Sequence, residues 1–309
     1  MFERYQNLRQ GPRYEKYSLW RIAVGLQGVD RLNVSGFLEE TACSHIEGEI
    51  SIAEALRLVD DYYRGVLGES DETDRTEEAD KVATRIAQVL AEPDAAFSPA
   101  GLRGIHKRLF DGLYTHAGMW RECAVSKAEW VLRGASVGYT HPAMVEGALD
   151  YDFSLEAQVP YSALPRREKV LRAAKFISGI WQIHPFREGN TRTIAVFGIQ
   201  YLRRLGFRVY NTPFAEHSWY FRNALVRANY SDTSRGIAAT QEYLNRFFDN
   251  CLLNANHELR NDDLMIAPPN GHNAFKHKAL THSFLAAGNY LACLAAGDGV
   301  ECAWLGVSA

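Results

Sequence analysis

The chain has 309 residues, 47% of them hydrophobic and 23% charged, with a formal net charge of −3. That balance suits a soluble globular protein with one large core or two small ones, and it gives no reason to expect nucleic-acid binding. No apolar run reaches membrane-spanning length, Met1-Phe2-Glu3-Arg4 has no signal-peptide form, and the five scattered cysteines (Cys43, Cys123, Cys251, Cys293, Cys302) suit reduced thiols, so a cytoplasmic protein with no membrane partner is expected.

The periodicity predicts a first helix over 18–29, with Leu19, Ile22, Ala23 and Leu26 on one face. A short connection leads to a second helix over 36–47, stopped by Gly48. Ser51 and Glu54 form a capping box that opens a third helix through Leu56, Val59 and Tyr63. Residues 65–80 are acidic and polar and read as a solvated linker. A helix resumes over 81–90. Ser98-Pro99 starts another, carrying Leu102, Ile105, His106, Leu109 and Phe110, in which His106 is read as structural. Trp130-Val131-Leu132 and Ser136-Val137-Gly138-Tyr139 flank Arg133-Gly134-Ala135 and read as a β-hairpin. A helix near 143–149 follows.

Two strongly periodic patterns come next. Val170, Ala173, Ala174, Ile177, Trp181 and His184 share one face; Ile194, Phe197, Gly198, Tyr201, Leu202 and Leu205 share another, with Gly206 as the stop. Between them lies His184-Pro185-Phe186-Arg187-Glu188-Gly189-Asn190-Thr191-Arg192. Pro185 favours an extended backbone at His184 and ends the first helix. Gly189 lets backbone approach a ligand closely. Asn190 and Thr191 are good N-cap types, so the amides of the second helix favour an anion, and Arg192 adds a fork of donors for phosphate oxygens. Glu188 would repel that phosphate unless a cation lies between, and Mg2+ is the usual choice. His184 can take a proton near neutral pH. The plain alternative is a core histidine beside a loop carboxylate. Further on, helices are expected over 216–230 and from a Thr240 cap through Leu252. From residue 266 the composition turns Ala- and Gly-rich.

The nine-residue loop resembles the signature of the Fic family, H-P-F-x-(D/E)-G-N-(G/K)-R-x-x-R, at His184, Pro185, Phe186, Glu188, Gly189, Asn190 and Arg192. It departs at Thr191, where Gly or Lys is usual, and at Ala195, where the second Arg is usual. The resemblance covers roughly residues 18–265. It implies a mostly α-helical fold with a β-hairpin flap over the active site, in which Val131, Leu132 and Val137 align a target segment by strand pairing. It also implies a protein adenylyltransferase that moves AMP from Mg-ATP to a Tyr, Ser or Thr hydroxyl of a target protein or of the chain itself. His184 is then the general base and Glu188 the Mg2+ ligand. Gly189, Asn190, Thr191 and Arg192 bind phosphates, Phe186 anchors the loop, and Asn229 contacts the base, with Arg222 a weaker candidate for that contact.

Ser44-His45-Ile46-Glu47-Gly48 resembles the family's inhibitory helix, (S/T)-x-x-x-E-(G/N), although Cys43 stands where Ser or Thr is expected. By that resemblance Glu47 blocks productive ATP binding. With Ala195 unable to pair with it, the expected partner of Glu47 is Arg192. The expected division is an N-terminal helical segment over 1–75, a catalytic core over 76–265 and a tail of unknown role over 266–309. Alternatives left open are transfer from another nucleotide, removal of AMP with Glu47 assisting, and a catalytically weak module that binds partners. A second copy of the chain is a further allowed partner.

Overall fold

The computed structural model describes residues 2–65, 71–209, 212–268, 291–296 and 299–304. Within them the fold is mostly α-helical, as expected. The first helix, α1 (Pro12–Gly25), starts earlier than its apolar face suggests, because Pro12 takes the first helical position behind Gly11. A 3-10 segment, Leu26–Asp30, follows. Ser35 caps α2 (Gly36–Glu47) by accepting from the Leu38 N–H, and Gly48 ends it at φ 86°. Ser51 caps α3 (Ile52–Gly65), its hydroxyl oxygen accepting from the Glu54 N–H.

Residues 71–80 of the expected linker are helical instead, and 66–70 lie outside the described residues. From Asp71 the chain forms α4 (Asp71–Ala91), which runs through residue 75, so the N-terminal segment and the core share one element. Acidic residues suit a helix's first turn. The polar run also has buried work: Asp80 accepts from the Ser35 and Tyr63 hydroxyls inside the protein. Next come α5 (Pro99–Phe110), α6 (Val145–Ala157), α7 (Arg166–Ile183) and α8 (Asn190–Arg204). The series ends with α9 (Thr212–Glu216), α10 (Ser218–Asn229) and α11 (Glu242–Leu253). One hydrophobic cluster joins Trp20, Leu38, Val59, Ile86, Phe110, Ile177, Trp181, Ile194, Phe221 and Phe247.

Strands are few. The described ones are β1 (Ala124–Lys127), β2 (Leu291–Ala296) and β3 (Gly299–Trp304), in the order β1-β3-β2, with β1 parallel and β2 antiparallel to β3. Most of the tail from residue 266 otherwise lies outside the described residues.

The hairpin expected over residues 130–139 is absent. Trp130–Leu132 is a 3-10 turn, with the Leu132 and Gly134 N–H groups donating to the Glu129 carbonyl and the Glu129 N–H donating to Ala135. The proposed flap residues Val131, Leu132 and Val137 are all buried. A strand sends successive side chains to opposite faces, and Val131 and Leu132 both enter the core, so this segment packs as a loop.

Candidate active site

The site forms where α7 stops and α8 begins. His184 is the C-cap of α7, held at φ 53°, ψ 59°, the left-handed region and not the extended one that Pro185 favours. A non-glycine residue there costs of order 1–3 kcal/mol and persists only where its surroundings enforce it. Here the enforcer is Arg121, a buried side chain that sequence reading passed over. Its Nε donates to the His184 carbonyl at 2.6 Å and its backbone N–H to Pro185 at 2.8 Å. One Nη donates to the Cys123 carbonyl at 2.7 Å; the other donates to the carbonyls of Thr140 and Ile183.

Gly189 is the N-cap of α8, not Asn190 or Thr191. Its φ is +70°, and a Cβ there would sit 2.3 Å from the Phe110 ring, so only glycine fits. Asn190 closes the loop on itself: Oδ1 accepts from the Phe186 N–H at 2.9 Å and Nδ2 donates to the Phe186 carbonyl at 2.7 Å. Thr191 accepts from Trp181 Nε1 at 3.0 Å. Gly189, the N-cap, has no side chain to bond the first amides of α8, and amides at a helix N-terminus suit an anion. Phe186 is stacked on His106, ring centroids 3.7 Å apart. The Gly118 N–H donates to His106 Nδ1, so Nε2 carries the proton and donates to the Glu188 carbonyl at 3.1 Å. His106 therefore shapes the loop from behind, and burial pushes its pKa down to about 3.

His184 is 2% exposed, and neither ring nitrogen has a hydrogen-bond partner among the described residues. Burial first, then the charges of Lys127, Arg121 and Arg222, hold its pKa well below the ordinary value. The imidazole is thus neutral, with a lone pair able to accept a proton. The Tyr139 ring lies against it, centroids 4.1 Å apart. Lys127 Nζ stands 3.8 Å from a Glu188 carboxylate oxygen.

Arg192 is committed inside the protein. Its Nε lies 2.9 Å from Asp30 Oδ2, and its guanidinium reaches Glu78 at 2.5 Å, Gln27 at 3.2 Å and the Tyr114 hydroxyl at 3.3 Å. Asp30 also approaches Arg222, at 3.6 Å, and Arg222 makes a second pair with buried Glu129 at 3.0 Å. Burial would raise the Asp30 pKa, but Arg192 and Arg222 outweigh it and keep the carboxyl below its ordinary value. Arg222 is thus a member of this ion network. Asn229 turns the other way, donating to Ser178 Oγ at 2.9 Å and to the Leu225 carbonyl at 2.8 Å.

Glu47 is not at Arg192. It accepts from the Tyr5 hydroxyl at 2.8 Å and pairs with Arg13 at 2.6 Å, on the side of α2 that faces the N-terminal segment. The expected Glu47–Arg192 contact is corrected by the structure: the carboxylates that reach Arg192 come from the 3-10 segment before α2 and from α4. Ala195 is fully buried in α8, so the second arginine of the resembled pattern has no room there.

Among the described residues, no three His, Cys, Asp or Glu side chains gather to hold a metal by themselves. A single carboxylate beside a phosphate loop fits Mg2+ all the same, because that ion usually takes one or two carboxylates and completes its shell with phosphate oxygens and water. Glu188 is the carboxylate of this loop that would hold it. No described helix is long and apolar enough to cross a membrane.

Comparison with known proteins finds a family match that spans the site loop. Residues 96–202 match the Fic/DOC family. Over 122 residues the chain is 30% identical to a probable protein adenylyltransferase, y4lH, of Sinorhizobium fredii; the match covers 38% of this chain, and the chain spans 59% of that relative's length. Among solved structures it is similar to BepC of Bartonella tribocorum with bound AMPPNP (18% identity, TM-score 0.48, 60% of this chain and 90% of that one). It is also similar to the N-terminal Fic domain of a Bartonella quintana effector with bound ADP (18% identity, TM-score 0.49, 60% and 87%).

Proposed function

We propose that this chain, whose residues 96–202 match the Fic/DOC family, transfers AMP from ATP to a hydroxyl of a protein, itself included. The observation that carries this reading is the buried imidazole of His184, its ring nitrogens without a hydrogen-bond partner among the described residues, on the short loop that leads to the glycine-capped N-terminus of α8. A base and an anion-binding helix terminus on one short loop would suit that transfer. A Tyr, Ser or Thr oxygen forms the bond to the α-phosphorus, the bond from that phosphorus to the bridging oxygen breaks, and pyrophosphate leaves. The hydroxyl proton passes to a ring nitrogen of His184, a role worth about 10²–10⁴-fold. The α8 amides, with Gly189 allowing close approach and Asn190 and Thr191 fixing the loop, meet the phosphate charge. Arg192 joins them once it leaves its carboxylates. Glu188 would hold Mg2+, which supplies charge neutralisation at the phosphates. Asn229 is the proposed contact to the base through Oδ1, since its Nδ2 is committed to Ser178 and Leu225.

The test is incubation with ATP, UTP or GTP, each labelled at the α-phosphate, followed by label retained on protein and pyrophosphate released. ATP label on the chain or on an added protein supports the reading. Label from UTP or GTP alone moves the reaction to another nucleotide, and no label from any of them removes the enzyme reading.

A further inference from the structure

Arg121 donates to five carbonyl groups, four through its guanidinium and one through its backbone N–H. The last carbonyls of a helix have no partner within it, and a cation at that end also suits the helix dipole. Arg121 satisfies those of Ile183 and His184 at the end of α7, and its own N–H takes Pro185. It thus grips three consecutive carbonyls around the residue whose left-handed backbone aims the imidazole. The remaining donors reach Cys123 and Thr140, the two ends of segment 123–140. That segment brings Lys127 to Glu188 and Tyr139 to His184. A single planar fork therefore ties the backbone of the base to both ends of the segment lying against it.

We propose that Arg121 is the positioning residue of the site, fixing the His184 backbone and docking segment 123–140 onto it. The proposal deepens the AMP-transfer reading and rests on it for its kinetic consequence. Lysine cannot replace the fork, because one ammonium does not span carbonyls that lie on several sides of a guanidinium plane.

The experiment compares the full-length wild type with Arg121→Lys and Arg121→Met. Kinetics with labelled ATP should show kcat reduced roughly 10²-fold in Arg121→Lys while the KM for ATP stays at the wild-type value, since a misplaced base slows chemistry without removing the nucleotide's contacts. Amide exchange should rise several-fold at His184, Phe186 and Arg187 and remain unchanged in the interior of α8. Wild-type kcat in Arg121→Lys, or a loss shared equally by kcat and KM, overturns the proposal. So does exchange that rises uniformly through the core. If Arg121→Met does not fold, Arg121→Lys decides alone. If the wild type transfers no label, the reaction reading fails by itself, and exchange still decides on Arg121: unaltered protection at His184, Phe186 and Arg187 overturns its positioning role.

Discussion

Asp30 Oδ2 lies 2.9 Å from Nε of Arg192, and the same carboxylate approaches Arg222 with its other oxygen at 3.6 Å. Asp30 therefore sits between two guanidinium groups much as a phosphate would, and Glu78 holds Arg192 from the far side. Phosphate binding through Arg192 must displace at least one of these carboxylates. Asp30→Asn should lower the concentration of ATP needed for half-maximal binding. It should also reduce stability by about 1–3 kcal/mol, the usual cost of leaving a buried charge short of a partner. The stability cost stays modest because the Asp30 side chain is 30% exposed and Glu78 remains. Calorimetric titration with ATP and urea unfolding read the two effects; weaker ATP binding in the variant would show that Asp30 supports the site instead of masking it.

His184→Asn should remove label transfer, a loss of about 10²–10⁴-fold, without loss of fold. Asparagine tolerates the left-handed backbone that His184 adopts, so the variant separates chemistry from strain. Transfer at the wild-type rate would remove His184 from the base role.

Stability should fall as the solution is acidified below about pH 6.5, with His45 and His106 contributing. Burial holds their folded-state values at about 4 and about 3. Below the unfolded value of about 6.5 the unfolded chain binds protons that the folded chain refuses. Each histidine then removes about 1.4 kcal/mol per pH unit until its folded value is reached. His45 accepts from Trp20 Nε1 through Nδ1 at 3.0 Å, a bond that the amide oxygen of an asparagine can replace. His45→Asn should therefore flatten the decline measured by urea midpoints between pH 6.5 and 4.5. An unchanged slope would show that His45 does not contribute.

Much of the architecture was legible in the sequence because it rests on local signals. Gly48, Ser51 and Ser98 act as the stop and caps they look like. The α7–loop–α8 unit follows from two apolar stripes and a Pro-Gly-Asn interruption. What escaped reading is long-range. Nothing near Asp30, Glu78 or Glu129 announces that they neutralise Arg192 and Arg222, because the partners lie far apart in the sequence, Glu129 and Arg222 by 93 positions and Glu78 and Arg192 by 114. Arg121 bonds to carbonyls, which have no sequence signature. Segment 130–139 has β-prone residues, yet it is decided by where Val131, Leu132 and Val137 find burial. Ala195 resolves in the same way: it is fully buried, so Ala195→Arg should unfold the protein or leave it aggregated, visible as lost far-ultraviolet circular dichroism or an aggregate peak in gel filtration. A folded variant with wild-type melting would show that α8 has room that its packing does not suggest.

The remaining prediction sets Glu47 against Asp30. Glu47 pairs with Arg13 and accepts from Tyr5, which lowers its pKa and ties the end of α2 to the N-terminal segment, away from Arg192. Exposed pairs of this kind contribute little, so Glu47→Gln should leave stability nearly unchanged. If carboxylates restrain the site, those touching Arg192 should do so most strongly. Self-labelling from ATP should then rise in Asp30→Asn and in Glu78→Gln and stay near wild type in Glu47→Gln. The three variants and the wild type are compared at equal Mg2+ and ATP, with each reading divided by the folded fraction measured under the same conditions. A rise confined to Glu47→Gln would return the restraint to α2 and require that helix to shift toward the loop when nucleotide binds. A rise in none of the three would mean that Arg192 is a structural arginine and that phosphate is met by the α8 amides alone.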